Sequence, residues 1–101
     1  MQLNFKTRIN GEKFFNLLQA LGGSPDRKGN EFYISTGDYW DCVLNLECEQ
    51  AGIHFSDEEE NARVKRAIAD FGKPIDLLID WLKAVYFVHE RSWVYMKFVI
   101  N

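Results

Sequence analysis

Residues 31–55, EFYISTGDYWDCVLNLECEQAGIHF, read as three successive strands, and the fold turns on that reading. Residues 31–35 put Phe32 and Ile34 on one side. Residues 39–50 alternate, with Trp40, Cys42, Leu44, Leu46 and Cys48 on one side and Tyr39, Asp41, Val43, Asn45, Glu47 and Glu49 on the other. Residues 53–55 bury Ile53 and Phe55 and turn His54 outward. A slip of one residue reverses the faces of a strand, so turn lengths can be checked by parity. A two-residue turn at Ala51-Gly52 sets Cys48 against Phe55 inside and Glu49 against His54 outside. The loop before it must be odd, because only residues 36–38 together bring Ile34 opposite Trp40.

Working outward, residues 2–9 alternate as a half-buried strand, with Leu3, Phe5, Thr7 and Ile9 on one face. Asn10 is suited to cap a helix over residues 11–21, whose stripe is Phe14, Phe15, Leu17, Leu18 and Leu21, and Gly22-Gly23 ends it. Residues 24–30 form a polar loop. Downstream, the capping box Ser56-x-x-Glu59 opens a helix buried along Val64, Ala67, Ile68 and Phe71 and stopped by Gly72. Pro74 opens another, with Ile75, Leu78, Ile79 and Leu82 in its main stripe and Leu77, Trp81 and Val85 widening it. Residues 85–88 continue that helix, with a hairpin over 85–100 as the alternative. Residues 93–100 alternate as a final strand carrying Val94, Met96, Phe98 and Ile100 on one face. The order β-α-β-β-β-α-α-β predicts one α+β domain over residues 1–101, with helices on one face of a mainly antiparallel sheet.

The bulk numbers agree with that picture. A chain of 101 residues is an ordinary size for one domain, and 47% hydrophobic content excludes intrinsic disorder. No apolar run approaches the ~18–20 residues that span a bilayer, and charges stand where a signal peptide would be apolar. Cys42 and Cys48 on one strand lie ~20 Å apart, too far for a disulfide. They read as reduced core residues, and the protein is expected to be cytoplasmic.

Charge is the sharper signal. Between Gly29 and Ala62 stand nine acidic residues and no Lys or Arg, while both flanking segments are net basic. Parity places Glu31, Tyr33, Asp41, Glu47, Glu49 and His54 on the outer sheet face, with Tyr39 at its edge and Asp38 and Asp57, Glu58 and Glu59 at the rim. An acidic, tyrosine-bearing face without Lys suits the Arg and Lys side chains of a partner. The run Asp57-Glu58-Glu59-Glu60 also fits a first helical turn, where carboxylates complement the macrodipole, and Glu59 is spaced to pair with Arg63.

Catalysis is not expected. Only His54 and His89 are present, the cysteines lack a CxxC spacing, and no nucleophile accompanies the Glu49–His54 pair, so neither metal nor cofactor is implied. Arg27-Lys28 and the group Arg63, Lys65 and Arg66 raise direct nucleic-acid binding, but a pI near 5.3 argues against it. The expectation is a small acidic inhibitor, an immunity or antitoxin protein that neutralises a basic, nuclease-like toxin. A phage-type anti-defence inhibitor of a nucleic-acid-binding complex needs the same surface. The readings from other classes are a homo-oligomeric adaptor pairing through its Trp93/Tyr95 edge and a small-molecule binder using Glu49–His54.

Overall fold

The computed structural model describes residues 2–4, 8–53, 57–89 and 95–100. Its elements run β1 (Gln2–Asn4), α1 (Arg8–Ala20), β2 (Asp26–Lys28), β3 (Glu31–Ser35), α2 (Thr36–Gln50), α3 (Glu58–Phe71), α4 (Ile75–His89) and β4 (Tyr95–Val99). The sheet order is β1-β4-β3-β2, antiparallel except where β1 joins β4 in parallel. The fold is α+β, as the hydrophobic patterning implies.

Alternation in β3 and β4 sets the two faces of the sheet. Register pairs Phe32 with Phe98 and Ile34 with Met96, and all four are buried. The helices cover that face. Phe14 of α1 meets Phe32 at 6.0 Å, Phe98 at 5.0 Å and Trp81 of α4 at 5.2 Å between ring centroids, so one aromatic cluster ties sheet to helices. On the other face Tyr33 stands opposite Lys97 and Glu31 opposite Val99.

The main correction falls on residues 39–50, which form most of α2 instead of a strand. Tyr39, Cys42, Val43 and Leu46 are buried, and their spacing is that of a helical stripe. The same residues also alternate, so the pattern alone supports either period. The ends break the tie. The Ser35 hydroxyl oxygen accepts the Asp38 N–H at 3.1 Å, a helix N-cap. At the other end Gly52 has φ +79°, the Gly52 N–H reaches Glu49 O at 3.1 Å and the Ile53 N–H reaches Cys48 O at 2.9 Å. That pair of bonds closes a helix in a Schellman motif, which uses Gly52 for its left-handed turn and leaves no hairpin at Ala51-Gly52. A twelve-residue strand would also have been about twice the usual length.

Smaller departures follow the same logic. Helix α1 covers Arg8–Ala20, so Asn10 sits inside it, and the described part of the first strand is Gln2–Asn4. The 24–30 loop contains β2, whose Lys28 pairs with Glu31 across the two-residue turn Gly29-Asn30. Ile53 is 64% exposed and not in a strand. Asp57 caps α3, its carboxylate accepting the Glu59 N–H at 2.8 Å, while Glu59 and Arg63 form no ion pair. Helix α4 does continue through residues 85–88. Phe5, Thr7, His54, Phe55, Ser56, Trp93 and Val94 lie outside the described residues.

Candidate functional site

Because α2 is a helix, the expected acidic sheet face does not form. Of its described members only Glu31 and Tyr33 lie on the sheet, and a cation stands beside both. Lys97 Nζ is 3.4 Å from Glu31 Oε1 and 5.9 Å from the centre of the Tyr33 ring, and the Tyr33 hydroxyl donates to Glu31 Oε2 at 3.0 Å. These three groups neutralise and occupy one another.

Tyr39 is not a surface anchor. Its side chain is fully buried, stacks on Tyr86 at 6.2 Å and Phe98 at 6.3 Å, and donates its hydroxyl to Leu82 O at 2.8 Å. Burial raises the phenol well above its ordinary pKa, with a smaller contribution from Cys42. The Cys42 thiol is likewise pushed up to about 12, chiefly by burial, and donates to Leu18 O at 3.5 Å. Cys48, expected inside, is exposed. On one helix the two sulfurs' residues are still ~9 Å apart along the axis, beyond disulfide reach.

The remaining carboxylates gather differently. Asp38, Asp41, Glu47 and Glu49 all belong to α2, which carries no Lys or Arg. Asp57, Glu58 and Glu59 stand at the start of α3, exposed. Asp41 is exposed, whereas Glu47 accepts Lys83 of α4 at 3.0 Å. That ion pair is itself solvated and contributes little to stability. His54 is outside the described residues, so the Glu49–His54 pair has no geometry to report.

Beside these carboxylates the α2–α4 seam exposes an aromatic cluster. Trp40 packs 4.8 Å from Tyr86 and 6.5 Å from Phe87, and Tyr86 and Phe87 meet at 5.6 Å between centroids. Phe87 is 57% exposed, and Leu44, one turn beyond Trp40, is 44% exposed. Sequence alternation assigned Trp40 and Leu44 to the core and gave Phe87 no role. A helical wheel of residues 39–50 separates Asp41, Leu44 and Cys48 from the buried stripe, and that was the signal available.

Among the described residues no three His, Cys, Asp or Glu side chains are grouped to hold a metal ion. No described helix is long and apolar enough to cross a membrane. Comparison with family models, curated proteins and solved structures gave no match.

Proposed function

We propose that this chain is a protein-binding domain of the inhibitor type, which docks a basic partner on its α2–α4 face. The observation that carries the reading is the half-exposed Trp40–Tyr86–Phe87 cluster beside a helix with four carboxylates and no cation. Aromatic anchors at the centre of an interface supply much of its affinity, and surrounding charge sets partner choice and encounter rate. Cationic grooves of enzymes that handle nucleic acid are the complementary surface. An immunity or antitoxin role toward a nuclease-like toxin fits that complementarity, as does inhibition of a nucleic-acid-binding complex by an anti-defence protein. Both roles go with a cytoplasmic protein, and neither calls for catalysis, cofactor or metal.

The test is capture of partners from the native lysate by the tagged chain at low and high salt, with Phe87→Ala and Asp41→Lys in parallel. Retention of one basic protein by the wild type, lost in both variants and weakened by salt, supports the reading. Equal capture by all three chains refutes the α2–α4 face as the interface.

A further inference from the structure

On a different face, α1 and α3 border an open groove of about 950 Å³. Arg63 and Arg66, one turn apart on α3, line it, together with Asp70 one turn further on and Asp26 from β2. Asn16 and Gln19 of α1 supply amides to the facing wall. Among the described residues none of these four charged side chains makes an ion pair, although two guanidiniums and two carboxylates share one groove. Two charges of each sign, left unpaired, suit a ligand that brings both counter-charges.

We propose that this groove binds a small zwitterion, its oxyanion head on Arg63 and Arg66 and its ammonium toward Asp26 and Asp70. Side chains three apart on a helix are neighbours, so both guanidiniums reach one carboxylate or phosphate, for which their planar forks are matched. The carboxylates repel a polyanion and so exclude nucleic acid from this site. The volume lies at the upper end of small-ligand sites and leaves room for a substituent between the two charged ends.

The proposal is tested by titrating the full chain with O-phosphoethanolamine and with γ-aminobutyrate, following amide and guanidinium NMR signals, with inorganic phosphate and a single-stranded RNA oligomer as comparisons. Saturable shifts confined to the groove are expected from at least one zwitterion, and the better probe identifies the head as phosphate or carboxylate. Arg63→Gln and Arg66→Gln should each weaken that binding roughly tenfold or more. Asp70→Asn should weaken the zwitterion and strengthen inorganic phosphate. Lys65→Gln, on the same helix but outside the lining, should change nothing. All of these side chains are exposed, and an unaltered thermal transition checks that each variant folds. No saturable shift from either zwitterion, tighter binding of RNA, or equal loss with Lys65→Gln overturns the proposal.

Discussion

Replacing Tyr39 by Phe removes one oxygen from the centre of the molecule and leaves the ring in place. The ring is fully buried between Tyr86 and Phe98, so packing is retained and the loss is the 2.8 Å bond to Leu82 O. A buried neutral hydrogen bond contributes a net ~0.5–1.5 kcal/mol. The Leu82 carbonyl keeps its helical partner within α4, so the full penalty of an orphaned acceptor does not apply, and about 1 kcal/mol is expected. For a domain of this size that is a fall of roughly 4–8 °C in Tm. Tyr39→Ala empties the site and should cost about 3–5 kcal/mol, a large part of the whole stability of a small domain. Urea unfolding followed by far-UV circular dichroism measures both, with an unchanged slope confirming that only stability moved. Tyr86→Phe is the control, since its half-buried hydroxyl holds no hydrogen bond among the described residues. A Tyr39→Phe protein as stable as wild type, together with a tolerated Tyr39→Ala, would refute the burial of this ring and return it to the surface. Because Tyr39 is internal, Tyr39→Phe should leave partner affinity unchanged.

The other expectations concern the surface, the titrating core and two glycines. Phe87→Ala should change stability by less than about 1 kcal/mol, because the side chain is mostly exposed, yet weaken the captured partner by ~2 kcal/mol or about 30-fold in calorimetry. Asp41→Lys should act mainly on the association rate and lose its effect at high salt. Alkaline stability should fall from pH ~9, because the unfolded Cys42 thiol ionises there while the folded one holds its proton to about 12. The unfolded state then binds fewer protons, so stability is full below pH ~9 and declines by up to ~1.4 kcal/mol per pH unit as pH rises. Tyr39, raised in the same sense, adds to the decline above pH ~10. Cys42→Ala should be less stable at neutral pH but show a shallower alkaline slope in pH-dependent urea titrations. Gly23→Ala should cost about 1–3 kcal/mol in thermal melts, since its Cβ would lie 2.7 Å from Cys42 Sγ and 3.0 Å from Leu18 O. Gly37→Ala, with nothing within 4 Å, should instead stabilise α2 by about 0.5–1 kcal/mol.

Much of the architecture is written in local patterns whose period admits one reading. Phe32 and Ile34 alternate in a short run and lie inside, as Met96 and Phe98 do opposite them. The stripe Phe14, Leu17, Leu18 and Leu21 with its glycine stop, and the main stripe Leu78, Ile79 and Leu82, likewise identify buried helix faces, whereas Leu77, expected to widen the second stripe, is exposed. Local chemistry also places a helix start beside Asp57 and an end at Gly72. Residues 39–50 are different, because apolar residues at 39, 40, 42, 43, 44, 46 and 48 satisfy periods of two and of 3.6 together. The caps at Ser35 and Gly52 favour the helix locally, and tertiary packing completes the choice: the aromatic cluster accepts Tyr39 beneath α4, and only a helix turns Tyr39, Cys42, Val43 and Leu46 toward one side. That one choice of period moves three carboxylates, Asp41, Glu47 and Glu49, from the sheet to a helix, withdraws Tyr39 from solvent and brings Trp40 beside Phe87. The charge segregation is thus a property of the sequence alone. Which side chains stand next to that charge depends on contacts between elements distant in the chain, and no local pattern encodes them.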